Sequence, residues 1–300
     1  MARDFAFVVD RKAQRAGSAH LRGRQLARLF AEVAADYGRA VRYAFSDDLP
    51  RDAVAIVNKT ALMQSDRSVP QQLREAGCTV LMDFIDGPLP AATTAQADGF
   101  IACSALQSRH LRAAFPDRPV IHIPHHVDLD IPTTPCQWER FACGYFGNPD
   151  NAAHLAALQE SGALTVWEAK TTNKNGWYQA LPDFNLHYAF RPRRMWGAGF
   201  KPFTKGFVAA HVGAVILVAE SDEEATELLG ADYPLRLPDE TDAGTMQARL
   251  ADLSGRFGDP DWQLARQRMQ RLRVISSAEY IRNLIRSQFF EDSGISDLVR

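Results

Sequence analysis

The 300-residue chain has only four cysteines, Cys78, Cys103, Cys136 and Cys143, and no Cys-x-x-Cys pair. That spacing excludes a zinc ribbon or a disulfide framework and reads as buried thiols kept reduced. Charge of one sign is lacking too, since 34 Lys plus Arg against 36 Asp plus Glu leave a net charge of −2. No overall field therefore draws the chain to nucleic acid, although a local basic face leaves peripheral membrane association open. No apolar run approaches the roughly 20 residues of a membrane-spanning helix, and the opening MARDFAFVVD turns acidic too early for a secretory leader. Neither Gly-x-Gly-x-x-Gly after a strand nor Gly-x-x-x-x-Gly-Lys-Ser/Thr occurs, which argues against nicotinamide-dinucleotide and P-loop chemistry. There is no internal repeat and no low-complexity tract. These absences imply a soluble, cytoplasmic protein with a small-molecule partner.

What the sequence does contain is alternation. Short apolar runs predict strands at Phe5–Val9, Val41–Phe45, Ala53–Val57, Thr79–Met82, Phe100–Cys103 and Val120–Ile123. A polar loop, DRKAQRAGSAHLRG, follows the first strand and leads to a helix with Leu26, Leu29, Phe30, Val33 and Tyr37 on one face. Further helices are expected at Pro70–Ala76 and Ala105–Phe115. Asp130 to Glu139, with two prolines and little periodicity, reads as a linker. Beyond it, strands are expected at Phe141–Phe146, Leu164–Trp167, Phe184–Phe190, Ala214–Ala219 and Pro234–Leu237. A helix capped by Asn148 should start at Pro149, and helices at Ala243–Phe257 and Asp261–Phe289 should close the chain. Strands alternating with helices imply parallel sheets covered on both faces. The expectation is two α/β domains, residues 1–132 and 133–300, with ligand at the carboxyl ends of the strands.

The stretch Lys201 to Gly230 carries the strongest local signal. Pro202 suits the first turn of a helix that carries Phe203, Phe207 and Ala210 and ends at Gly213. An apolar strand follows, and Ser221 with Glu224 has the spacing of a capping box before a helix that stops at Gly230. Lys201 and Lys205, four apart, would share a face at the positive end of the first helix. For stability this is unfavourable by about 0.3 to 1 kcal/mol. A bound phosphate or diphosphate would reverse the sign; two solvated lysines, or lysines paired with Glu220 or Asp222, are the alternatives.

In this order, the segments resemble the GT-B glycosyltransferases built from two Rossmann-like domains, especially the sugar-nucleotide-dependent group 1 family. GSAHLRGRQLARLF, at Gly17 to Phe30, resembles the glycine-containing loop and helix that face the acceptor, and GFIACSALQSRHL resembles a strand ending in serine ahead of a helix. IPHHVDLD resembles the end of the first domain, matching at Pro124, Val127 and Asp128. GYFGNPDN resembles the opening strand and glycine turn of the donor domain, and KPFTKGFVAAHVGAVILV resembles the donor-site segment, with Lys205 at the family's lysine. Two positions depart: Phe200 and Val208 stand where many members have a pair of glutamates, and Asn148 and Pro149 where many have Arg or Lys.

The resemblance implies a C-terminal helix that returns to the first domain. It also implies transfer of a glycosyl group from a nucleoside-diphosphate sugar to an unidentified acceptor, with no cofactor and no metal, in a setting such as polysaccharide biosynthesis. A sugar-nucleotide epimerase of the same fold, or a non-catalytic nucleotide-sugar-binding protein, stays open. Lys205, Lys201, Thr204, Arg191, Arg194, Gly147 and Asn148 are the candidates for the donor diphosphate, since Arg and Lys can neutralise its oxygens. Arg193 belongs to the same basic loop. Gly17, Ser18 and Arg22 are candidates for the acceptor-side loop, and His125 and His126 for the domain junction, where a structural role is the alternative. Asp83 is the candidate to orient an acceptor hydroxyl or take its proton, while Asp86 reads as turn chemistry beside Gly87. Asp128 and Asp130 spell an Asp-x-Asp, but within the junction motif, so no metal site is assigned.

Overall fold

The computed structural model describes residues 3–63, 68–87, 90–169, 174–191 and 200–291. The chain forms two compact units, one of Met1–Leu129, Ala198–Pro202 and Ser277–Arg300, the other of Asp130–Gly197 and Phe203–Ser276.

The first unit is built on a six-stranded parallel sheet among the described residues, with strands β1 (Phe5–Val9), β2 (Val41–Phe45), β3 (Val54–Asn58), β4 (Thr79–Asp83), β5 (Gly99–Ala102) and β6 (Val120–His122). Their order is β2-β1-β3-β4-β5-β6. Helices α1 (Leu26–Ala34), α2 (Lys59–Leu62), α3 (Val69–Glu75), α4 (Ala91–Thr94) and α5 (Ala105–Ala114) connect them. Because successive strand residues point to opposite faces, Phe5 and Phe7 of β1 join one apolar cluster while Ala6 and Val8 join another. Both faces are therefore buried, as a parallel sheet requires.

The second unit repeats the plan with β7 (Cys143–Gly147), β8 (Thr165–Glu168), β9 (Leu186–Tyr188), β10 (Val215–Ala219) and β11 (Arg236–Leu237), in the order β11-β10-β9-β7-β8. These strands are also parallel. Helices α6 (Leu155–Glu160), α7 (Lys174–Ala180), α8 (Thr204–Val212), α9 (Glu223–Leu229), α10 (Ala243–Gly255) and α11 (Pro260–Ile275) pack around them, and α12 (Ala278–Arg286) follows. In each sheet the order reverses beside the first strand, between β1 and β3 and between β7 and β9. A doubly wound sheet opens a crevice at that point, at the carboxyl ends of the strands.

Several helix boundaries differ from the sequence expectation, each for a local reason. The expected loop after β1 becomes helical from Gly17, with a wide π-type turn over Ala19–Gln25 leading into α1. Arg22 and Gln25 of this turn are both buried, and Gly23 lets the turn approach β1, since a Cβ there would stand 2.8 Å from Val9 Cγ1. The helix expected from Pro149 is a single 3-10 turn, Pro149–Asn151, and α6 starts only after His154, which is left-handed with φ 63°. Asp222, not Ser221, caps α9 by accepting from Ala225 N at 3.0 Å, while the Ser221 hydroxyl turns to Asp239. The single closing helix is two: the Ser276 hydroxyl donates back to the Leu272 carbonyl at 3.0 Å, and Ser277 caps α12.

That break returns the chain end to the first unit. Ile281, Ile285 and Phe289 are fully buried in the cluster of Phe5, Phe30 and Ile56, and the Phe289 ring meets Phe30 edge-on at 4.8 Å and Phe5 at 5.9 Å. Replacing Phe289 with Ala should destabilise the protein by about 3 to 5 kcal/mol through the cavity left behind. Chemical denaturation checks this; an unchanged unfolding midpoint would mean that the returning segment is not part of this core.

Candidate functional site

In the second unit, candidate residues for an anion gather at the carboxyl end of β7. The strand runs out at Gly147, and Asn148 turns the chain, its side chain accepting from Asp150 N at 3.2 Å. Tyr145, fully buried, donates its hydroxyl to the Asn148 carbonyl at 2.5 Å, and the Lys205 ammonium lies 4.9 Å from the centre of its ring. A Cβ on Gly147 would stand 3.0 Å from Lys205 Nζ and 2.8 Å from the Tyr145 hydroxyl. Glycine is thus what lets the ammonium come this close to the backbone. Burial lifts the Tyr145 phenol well above its ordinary range, against the opposing charge of Arg191 just past β9. The phenol stays protonated and serves as a donor.

Helix α8 contributes its N-terminus to the same unit. Thr204 and Lys205 are its first two residues, and Phe203 at the cap position has no side-chain oxygen to offer the first-turn N–H groups. Gly206 accommodates the Phe203 ring, which a Cβ would meet at 2.0 Å. A helix start without a side-chain cap, at the positive end of the dipole, favours an anion. Lys201 does not share this helix face as the spacing suggested. It precedes the helix, belongs to the first unit and pairs with Asp86. Arg193 and Arg194 lie outside the described residues.

In the first unit the carboxyl edge holds a buried polar network. Arg22 is fully buried rather than part of an exposed loop; its Nε donates to Asp83 Oδ2 at 2.8 Å, and its Nη1 donates to the carbonyls of Ile123 at 2.7 Å and Pro124 at 3.1 Å. Asp83 is equally buried, so its carboxylate faces Arg22 rather than solvent. Burial pushes its carboxyl up, and Arg22 opposes that shift. Arg22 Nη2 and Asp83 Oδ1 have no partner among the described residues. Gly17 is exposed, and the Ser18 carbonyl accepts from Asn58 Nδ2 at 3.3 Å, which ties this turn to the end of β3.

His125 and His126 are buried beside this network. Burial first, then the Arg22 charge, lowers His126 to about 3 and His125 well below its ordinary value, and takes neighbouring His122 to about 4. All three are neutral at physiological pH. His126 Nε2 lies 3.3 Å from Gln25 Oε1, and Gln25 Nε2 donates to Asp128 Oδ1 at 2.6 Å. Asp128 also has His20 Nε2 3.2 Å from its Oδ2. Sequence reasoning missed Asp86, read as a plain turn residue: its carboxylate takes Lys59 at 2.5 Å and also Lys201. The only local hint was its place just past a strand end.

No protein-family model matches the sequence, and no curated protein matches it. Solved structures do. Alr3699/HepE from Anabaena, in complex with UDP, superposes with a TM-score of 0.59 at 10% identity over 98% of this chain and 100% of its own. A glycosyltransferase from Rickettsia africae ESF-5 gives 0.57 at 8% identity over 100% and 99%. The pneumococcal O-GlcNAc transferase GtfA, in complex with UDP and GlcNAc, gives 0.56 at 10% over 92% of this chain, which spans 60% of that one. The chain spans 58% of the matched chain of the GtfA/B complex. At these identities the likeness is one of fold, and the fold is GT-B: two Rossmann-like parallel sheets with the closing helix on the first. Among the described residues no helix is long and apolar enough to cross a membrane, and the four cysteines are buried thiols without a disulfide.

The neutral histidines predict a pH dependence of stability. Between about pH 6.5 and 4 the unfolded chain binds protons at these three positions that the folded chain does not, so stability falls as pH falls, by up to about 1.4 kcal/mol per pH unit for each histidine. Asp83, shifted upward, binds its proton more readily when folded and opposes the trend. Urea midpoints at pH 7, 6 and 5 should therefore decrease, and less steeply in His126→Gln. Identical slopes would contradict a buried neutral His126.

Proposed function

We propose that this protein is a glycosyltransferase that moves a sugar from a nucleoside-diphosphate sugar to an acceptor, without a metal. The observation that carries the reading is the convergence of Gly147, Asn148, Lys205 and the open N-terminus of α8 at one strand end. Arg191 follows the next strand. Diphosphate oxygens would accept from the helix N–H groups and from Lys205 and Arg191, with Thr204 and Arg194 in the same role. Charge grows on the leaving diphosphate as the glycosidic bond breaks, so preorganised cations stabilise the transition state more than the ground state. UDP in the HepE and GtfA structures supports a nucleotide donor.

On the acceptor side Asp83 acts through Arg22 rather than on substrate. The pair fixes the Ile123 and Pro124 carbonyls, and with them the approach to His125 and His126. One observation favours a second reading, a nucleotide-sugar-binding protein without transfer: Val208, standing where many group 1 enzymes have a glutamate, is buried in the apolar core.

Calorimetry with UDP and other nucleoside diphosphates in EDTA tests the donor site. Binding should persist in the chelator, and Lys205→Ala should weaken it about tenfold to a hundredfold, the worth of one charged hydrogen bond. Unchanged affinity would remove Lys205 from the site. Loss of binding in EDTA, restored by Mg²⁺ or Mn²⁺, would overturn the metal-free reading.

A further inference from the structure

A second basic site lies in the first unit, and it takes in Lys201, which the sequence groups with the donor-diphosphate candidates. Lys59 follows directly on β3, and Asp86 lies three residues past β4, the neighbouring strand, in which Asn58 pairs with Asp83. Asp86 Oδ1 takes Lys59 and its Oδ2 takes Lys201, so two ammonium ions share one carboxylate. Arg22 nearby is matched by Asp83. Among the described residues the triad is thus left with one positive charge in excess. Burial pushes the Asp86 carboxyl up, but the two lysines outweigh it and hold it below its ordinary value, so it stays ionised.

Three features argue that this excess charge serves a ligand. The first is position: β3 flanks the reversal of strand order, and Thr60, beside Lys59, accepts from Asp10 N at 3.2 Å, so the triad adjoins the turn that follows β1. The second is access. The Lys59 and Lys201 side chains are 25% and 46% exposed, whereas the carboxylate between them is 14% exposed. The third is the backbone that carries Asp86. Ile85 has φ 59°, a left-handed conformation costly for a β-branched residue. The buried Gln107 holds it there by donating to the Ile85 carbonyl at 2.8 Å while accepting from Cys103 N at 2.8 Å. A salt link for stability alone needs no strained turn to present its carboxylate.

We propose that Lys59 and Lys201 bind an anionic group, phosphate or carboxylate, on the acceptor, and that Asp86 is the resident counter-ion that this group displaces. The term acceptor rests on the transferase reading; the anion site stands without it. An uncharged acceptor would leave the lysines with nothing to exchange for Asp86. A phosphomonoester, with two negative charges, matches the two ammonium ions.

The test is calorimetric titration of the full-length protein with methyl phosphate, and in a second arm with acetate, under saturating UDP so that the donor site is occupied. The variants are Lys59→Ala, Lys201→Ala and Asp86→Asn, each checked for folding by circular dichroism. Wild type should bind methyl phosphate, each lysine variant should lose about tenfold or more in affinity, and Asp86→Asn should bind more tightly. Tighter binding of acetate than of methyl phosphate would assign the site to carboxylates and supports the proposal equally. No anion binding to wild type or Asp86→Asn, lysine variants that bind like wild type, or weaker binding by Asp86→Asn would each overturn it. Failure of UDP itself to bind would count against the donor reading instead, and the anion titration would keep its meaning.

Discussion

One buried guanidinium sets the working edge of the first unit. Arg22 is bonded at once to the last residue of β4 and to two carbonyls just past β6, so a single side chain from the turn after β1 fixes the exits of two other strands. A charge with no exposure is tolerable only when paired, and removing one partner of such a pair costs about 3 to 5 kcal/mol. Arg22 sits in the wide turn at Ala19–Gln25, which Gly23 lets pack closely on Val9. Its charge also helps keep His122, His125 and His126 neutral. The edge is therefore polar and buried, and beside it the Lys59–Asp86–Lys201 group sets two ammonium ions on one carboxylate.

The second unit solves a different problem with the same architecture. Its strand order also reverses beside its first strand, but the crevice side holds a phenol, an ammonium and open helix N–H groups in place of a buried ion pair. This chemistry suits a leaving anion. Two parallel sheets of one plan thus present two kinds of edge, one that orients polar groups and one that offers uncapped donors.

The strands were legible in the sequence because a parallel sheet buried on both faces demands continuous apolar runs, and FAFVV and VILVA are such runs. The turn at Gly147 and Asn148 was legible because a glycine turn is local chemistry, whereas the helix expected from Pro202 starts only at Thr204. What local spacing does not carry is a partner far along the chain. Arg22 finds Asp83 61 residues away, and Lys201 finds Asp86 115 residues away, so Arg22 read as loop, Lys201 as helix and Asp86 as turn. Boundaries failed where two residues competed for one role. Ser221 and Asp222 could each cap α9, and the carboxylate, the stronger acceptor, took it. In the closing helix an apolar face continues through Ser276 and Ser277, and only the two hydroxyls mark the break.

A cationic strand end and an uncapped helix in the second unit are suited to stabilise a departing nucleoside diphosphate. The most direct measurement follows nucleoside diphosphate release from a panel of UDP-, GDP-, ADP- and dTDP-sugars, in EDTA, with water alone and then with pooled acceptors. Release should exceed the uncatalysed background for at least one donor and be faster with acceptor than with water. A donor that binds tightly yet yields no diphosphate in any pool would contradict it.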